Sequence, residues 1–304
     1  MSTRELMLLR DGLTLRATLH GPAHAPLVIL VHGFPDTPHC WDEVVPVLTA
    51  AGYQVLVPWL RGYTAESVSR RARYGLLAAA GDIEAWRTHV GATTAHLVGH
   101  DWGAALVMTL VGQRAEGWKS ASLLAVPPLP NFPYLLAATT ALPRQLRLSS
   151  YMLLMQSTFA EKVLSRQRAR HVENIWRTWS PTWNFSEADF APTRAAFSNP
   201  DIAWAATRYY RSLFSLNRSE SRAGLRHMVR TLGVPTLALA GMDDGCMNIA
   251  LHKRLTPARG FPAGLRAVRL PGCGHFLQAE QPEAVAQELL AHFAQVESAS
   301  FSIH

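Results

Sequence analysis

A short apolar run, His96-Leu97-Val98, stops at Gly99, bends through His100-Asp101-Trp102 and restarts as a helix at Gly103-Ala104-Ala105-Leu106. A sharp strand-to-helix elbow needs small residues two before and two after its turning residue, because side chains there would collide across the bend. Such an elbow also needs a buried strand and a helix folded back upon it, which is the repeating unit of a layered α/β sheet. It puts its central side chain on display. Here that side chain is Asp101, a carboxylate, which displaces at an electrophilic sp3 carbon where a serine would acylate.

The rest of the chain supplies the sheet. Residues 6–10 and 13–20 are extended runs joined by Asp11-Gly12, a hairpin signal. Residues 27–31 are wholly apolar, as a strand covered on both faces must be, and end in His32-Gly33-Phe34-Pro35-Asp36. A helix over 41–51, a strand over 54–58, a helix over 74–90, the elbow strand from 95, its helix over 104–112 and a strand over 120–126 follow. This alternation predicts a doubly wound, mainly parallel sheet of eight strands flanked by helices. The pattern breaks at Pro127-Pro128-Leu129-Pro130, and no strand-like run appears up to about residue 216. Ser186-Glu187-Ala188-Asp189 reads as a capping box, and Asn199-Pro200 as a cap with a first-turn proline, so the insert is helical. Residues 1–128 and 217–304 are expected to form the core, and 129–216 a helical lid over the carboxyl edge of the sheet. Strands over 234–240 and 265–270, a helix over 283–296 and a loose tail after Ser298 complete the expectation.

Composition excludes several classes. Met1-Ser2-Thr3-Arg4-Glu5-Leu6 lacks the basic start and apolar core of a secretory leader, and no apolar run reaches the roughly 18 residues that a membrane span needs. A soluble, cytoplasmic protein without membrane insertion is expected. Cys40, Cys246 and Cys273 are too scattered for a disulfide framework or a metal cluster, and the 13 histidines include no HExxH spacing, so no metal and no cofactor is implied. The formal charge of +7 is carried mostly by arginine, in clusters such as Arg70-Arg71-Ala72-Arg73 and Arg166-Gln167-Arg168-Ala169-Arg170, without a recognition motif. Nucleic-acid binding is therefore not expected. A monomer or homodimer acting on a small molecule is.

The order of reactive residues narrows the family. Asp101 follows one strand, Asp243 and Asp244 a later one, and His275 the last, in Pro271-Gly272-Cys273-Gly274-His275-Phe276. Nucleophile, acid and base in that chain order belong to the α/β-hydrolases. With His32-Gly33-Phe34-Pro35, Arg61-Gly62-Tyr63, Gly99-His100-Asp101-Trp102-Gly103 and Gly274-His275-Phe276, the sequence resembles the epoxide hydrolase branch of that family over nearly its whole length. The resemblance implies an α/β-hydrolase fold and conversion of a hydrophobic epoxide to a vicinal diol through an ester at Asp101. It implies His275 as base and Asp244 as its acid, with Asp243 the neighbouring alternative. The Phe34 and Trp102 backbone N–H groups would form the oxyanion hole, and Phe34-Pro35 would be a cis peptide.

An epoxide opens only when its oxygen is hydrogen-bonded or protonated, and the family does this with two lid tyrosines. Their positions match Tyr151 and Tyr210, although Tyr209 adjoins the second and helical periodicity does not separate the two. Family positions put Phe34, Pro35, Trp102, Met152, Cys246 and Phe276 around the substrate, while His32 and His100 read as packed structural histidines. Two departures bear on pocket shape: Trp59 stands where an aspartate is common, and Met155-Gln156-Ser157-Thr158 replaces the usual run after the first tyrosine. A haloalkane dehalogenase shares the Asp-His-Asp set but needs halide donors, for which Trp102 and, weakly, Trp204 are candidates. A carboxylate-substrate dehalogenase would carry arginine after the nucleophile, where this chain has Trp102. A non-catalytic ligand receptor on the same fold would be expected to lack one of the three residues.

Overall fold

Residues 2–129, 139–257 and 260–301 are described by a computed structural model. Their organising element is an eight-stranded sheet with strand order β1-β2-β4-β3-β5-β6-β7-β8. The strands are β1 (Thr3–Arg10), β2 (Leu13–His20), β3 (Leu27–Val31), β4 (Gln54–Pro58), β5 (Ala95–His100), β6 (Trp118–Leu124), β7 (Thr236–Gly241) and β8 (Leu265–Leu270). The expected hairpin is antiparallel, pairing Arg10 with Leu13 across Asp11-Gly12, and β2 pairs antiparallel with β4; every pairing from β4 to β8 is parallel.

Twelve α-helices are found among the described residues: α1 (Val44–Ala50), α2 (Leu76–His89), α3 (Trp102–Gln113), α4 (Leu142–Leu148), α5 (Tyr151–Gln156), α6 (Ala160–Trp179), α7 (Glu187–Phe197), α8 (Pro200–Phe214), α9 (Ser219–Met228), α10 (Ile249–Leu255), α11 (Leu277–Glu280) and α12 (Pro282–Phe301). Alternation along the buried strands sends Val28 and Leu30 to one side, against Val44, Leu48, Leu289 and Phe293 of α1 and α12. Leu27, Ile29 and Val31 go to the other, against Ile83, Leu106 and Leu110 of α2 and α3. The sheet is thus sandwiched, and its strands are apolar throughout for that reason.

Between β6 and β7 the described residues are helical, as expected; the expectation for 130–138 lies outside the described residues. The Ser186–Asp189 capping box forms in both directions, and Asn199 Oδ1 accepts the Asp201 N–H at 2.9 Å ahead of Pro200. Within α6 the chain departs from helical geometry at Arg166, and Gln167, Arg168 and Ala169 all have positive φ, which splits the helix into two segments. The closing helix differs from expectation. It continues to Phe301 instead of loosening after Ser298, and 302–304 lie outside the description.

The inserted helices are stitched to the carboxyl ends of the strands. Trp176 Nε1 donates to the Pro35 carbonyl at 2.7 Å, Tyr209 donates to the Arg61 carbonyl at 2.9 Å, and the His275 amide donates to the Trp179 carbonyl at 3.1 Å. Three loops of the core are thereby fixed against the insert.

Candidate active site

Asp101 sits where β5 gives way to α3, with φ of 51° and ψ of −114°, a conformation costly for a residue with a Cβ. The elbow is tight enough to dictate its neighbours. A Cβ at Gly99 would meet the Gly103 backbone, and one at Gly103 the Val31 carbonyl. Asp101 Oδ1 accepts the Phe34 N–H at 2.8 Å, from the loop that follows β3 and carries the expected cis Phe34-Pro35 peptide. The Trp102 amide, at the first position of α3, makes no hydrogen bond among the described residues. Of the two expected oxyanion donors, Phe34 alone touches the resting carboxylate.

His275 arrives from the loop after β8. Its Nδ1–H donates to Asp244 Oδ2 at 2.9 Å, while Nε2 lies 3.7 Å from Asp101 Oδ2, an ion pair beyond hydrogen-bond reach. Burial alone would lower the His275 pKa, but the Asp244 and Asp101 carboxylates outweigh it and hold it up at about 10. Asp244 is itself fixed, its Oδ1 accepting the Cys246 and Met247 N–H groups at 2.7 and 2.8 Å. Asp243 is exposed, its amide bonded to the Cys273 carbonyl at 2.9 Å. Asp244 is the carboxylate that faces His275.

From the insert, Tyr151 opens α5 and Tyr210 lies on α8, with their hydroxyl oxygens 3.5 Å apart. Burial first, and then nearby negative charge including that of Asp101, raises the pKa of both phenols, which keeps them protonated donors. The Tyr210 ring packs edge-on against Phe34 and Trp102 at 5.3 and 5.1 Å. Cys246 Sγ lies 4.0 Å from the Tyr151 oxygen. Met152 is half-buried beside Tyr151, Pro35 is held by Trp176, and Phe276 is fully buried under His275, Trp176 and Trp179. These groups are closed off from solvent: Asp101 is 7 % exposed, Tyr210 1 % and His275 not at all. A groove of about 1020 Å³ bordered by β1, β2 and α1 contains none of these residues.

A model of the family described as alpha/beta hydrolase fold matches residues 26–282. The chain belongs to that family. Among individual relatives, this α/β-hydrolase is 28% identical to Epoxide hydrolase A of Mycobacterium tuberculosis over 92% of its own length and 94% of the relative's. It is 23% identical to an epoxide hydrolase of Caballeronia sordidicola, over 97% and 95% of the two chains. A crystal structure from Klebsiella pneumoniae, of a protein itself named only provisionally as an epoxide hydrolase, superposes with a TM-score of 0.81 at 25% identity, covering 95% of this chain and 97% of that one.

His32 and His100 are fully buried and bonded to backbone groups in this α/β-hydrolase. His32 takes the Leu60 N–H on Nε2 at 3.1 Å and donates from Nδ1 to the Gly33 carbonyl at 3.0 Å. His100 Nε2–H donates to the His275 carbonyl at 3.0 Å, and burial lowers the pKa of both histidines. Trp204, the weak halide-donor candidate, has the Arg70 and Arg208 guanidinium carbons 3.9 and 4.5 Å from its ring centre and packs edge-on against Tyr74.

Three residues around the site were not legible in the sequence. Trp179 packs edge-on against His275 at 4.8 Å and Tyr151 at 5.0 Å. Ser180 Oγ accepts the His275 N–H at 2.9 Å and donates to Glu280 at 2.5 Å, while Glu280 also accepts the Gly274 and Phe276 N–H groups. The loop carrying His275 is therefore held from both the insert and α11. No local pattern marks a serine or glutamate as a loop anchor; only their meeting in space does. No group of side chains suited to a metal ion occurs among the described residues, and none of the described helices is long and apolar enough to cross a membrane.

Proposed function

We propose that this α/β-hydrolase is an epoxide hydrolase that converts a hydrophobic epoxide to a vicinal diol by way of a covalent ester at Asp101. The observation that carries the reading is the pair of protonated phenols, Tyr151 and Tyr210, with hydroxyls 3.5 Å apart and close enough to Asp101 to feel its charge. Two donors side by side suit one oxirane oxygen. The names of the relatives support the same substrate class.

Asp101 attacks one ring carbon from the side opposite its C–O bond, the bond breaks, and the oxygen takes a phenol proton. Esterification removes the Asp101 charge, one of the causes that keep His275 protonated. The imidazolium then gives its proton to the phenolate, by way of solvent, and becomes a base. Neutral His275, oriented by Asp244, takes a proton from water as that water attacks the ester carbonyl. The Phe34 N–H, joined by that of Trp102, holds the oxyanion. Collapse releases the diol, whose alkoxide takes the proton from His275, and the remaining carboxyl proton returns to His275 to restore the ion pair.

A dehalogenase is supported less well, because its weak second halide donor, Trp204, packs among Arg70, Arg208 and Tyr74, whereas the paired phenols suit an oxirane oxygen. The test is turnover of aryl, aliphatic and terpene epoxides by the wild type and Asp101→Asn, beside a halide-release assay. Diol formation lost in the variant is expected, and a single turnover in heavy-oxygen water should label Asp101. Undiminished diol production by Asp101→Asn would overturn the reading.

A further inference from the structure

The outer side of the helices that roof the site is apolar and cationic at once. Leu146 on α4, Leu153 on α5 and Phe159 after it are 70 %, 75 % and 67 % exposed, and Phe214 and Leu216 at the end of α8 are 55 % and 57 % exposed. Arg211, on the last turn of α8, ties that end of the helix to the end of α5, its guanidinium donating to the Met155 and Ser157 carbonyls at 3.1 and 2.6 Å. Phe214 is one turn beyond Arg211, and Phe159 is two residues beyond Ser157. Scattered exposed leucines mean little, but an apolar cluster of this kind marks an interaction surface.

Charge selects the partner. Arg144, Arg147, Lys162 and Arg218 flank the cluster, all exposed and none within ion-pair distance of a carboxylate among the described residues. From 139 to 162 the one acidic residue is Glu161, and Arg208 lies 3.6 Å from it. A second copy of the chain would set these cations mainly against themselves, since Glu161 already lies beside Arg208, which disfavours a two-fold contact. Apolar side chains that protrude among unanswered cations match the boundary of an anionic lipid layer, where the side chains enter the acyl edge and the cations meet phosphate.

We propose that this face, formed by α4, α5 and the end of α8, docks the protein on an anionic phospholipid surface. The inference goes beyond the catalytic reading but connects with it. Tyr151 and Met152 turn inward from α5 while Leu153 turns outward, so the helix that roofs the buried site is the helix laid against the lipid. A hydrophobic substrate dissolved in the bilayer would meet the protein at that helix.

The test is co-sedimentation of the full chain with vesicles of phosphatidylcholine alone and of equal parts phosphatidylcholine and phosphatidylglycerol, at about 0.1 M salt. Partitioning at least about tenfold stronger on the phosphatidylglycerol vesicles is expected, falling about tenfold in Leu153→Gln/Phe159→Gln and by a similar factor in Arg144→Gln/Arg147→Gln. All four positions are exposed, so unfolding temperatures should stay within a few degrees of wild type. Equal or absent binding to the two vesicle types overturns the proposal. So does binding that the apolar pair of changes leaves unaltered, or self-association in sedimentation velocity that those changes abolish. No epoxide enters the measurement, so its failure would be distinct from failure of the catalytic reading.

Discussion

Tyr209 and Tyr210 are consecutive on α8, yet their hydroxyls serve different parts of the molecule: Tyr209 donates to the Arg61 carbonyl at 2.9 Å, and Tyr210 stands 3.5 Å from the Tyr151 hydroxyl. Neighbours on a helix point about 100° apart, so one reaches the core loop after β4 and the other the site above Asp101. Both phenols are buried, and burial alone does not distinguish them. Tyr210→Phe should slow epoxide opening by about a hundredfold or more, the usual worth of a positioned acid. Tyr209→Phe should leave opening nearly intact and cost about 1–3 kcal/mol of stability, because the Arg61 carbonyl loses its buried partner. Stopped-flow formation of the ester and thermal unfolding, run on both variants, separate the two effects.

The geometry around His275 predicts where each half of the reaction stops. Its Nδ1 is bonded to Asp244 and its Nε2 is turned to Asp101, and in the proposed mechanism the imidazole serves ester hydrolysis and not the attack on the epoxide. Asp244→Asn and His275→Gln should therefore still form the ester but release diol about 10²- to 10⁴-fold more slowly. Intact-protein mass spectrometry after mixing with substrate should show the chain heavier by one epoxide. A variant that neither turns over nor gains mass would contradict the assignment.

Glu280 and Ser180 hold the loop that carries His275, through the amides of Gly274, His275 and Phe276. Glu280→Ala would strand these donors and let the imidazole drift, and a displacement of about 1 Å is enough to cost roughly a hundredfold in rate. The loss should fall on ester hydrolysis, leaving esterification near wild type, and Glu280→Gln should restore part of it. An equal loss in both half-reactions would make the residue merely structural.

The elbow was readable because its constraint is local: Gly99 and Gly103 are demanded by backbone atoms a few residues away or on the adjoining strand. The sheet was readable because both-face burial imposes unbroken apolar runs. Contacts closed only in three dimensions left no such trace. Trp179 and Ser180 reach His275, and Ser180 reaches Glu280, across about a hundred residues of chain. Arg61, fully buried, is held by Asp82 at 2.6 Å and Asp11 at 3.0 Å from two separate elements. The break in α6 falls on Gln167, Arg168 and Ala169, all with positive φ and none of them glycine, so no residue type announces it. Tyr209 and Tyr210 belong to the same class: their spacing was visible, and the direction in which each points was set by tertiary packing.

His252 gives a prediction independent of catalysis. It is 1 % exposed on α10, neither ring nitrogen has a hydrogen-bond partner among the described residues, and burial, with Arg269 adding to it, lowers its pKa to about 3. Two orphaned nitrogens make the neutral ring a burden even at pH 7, so His252→Leu should stabilise the fold by about 1–2 kcal/mol there. The sign of the pH effect follows from the lowered pKa. The unfolded histidine takes up a proton below about 6.5 while the folded one stays neutral down to about 3, so the wild type loses stability as pH falls through that window. At pH 5 the advantage of the leucine variant should have grown by about 2 kcal/mol. Urea unfolding of both proteins at pH 7 and pH 5 measures the difference directly, and a gap that does not widen would mean that His252 is protonated or bonded in the folded state.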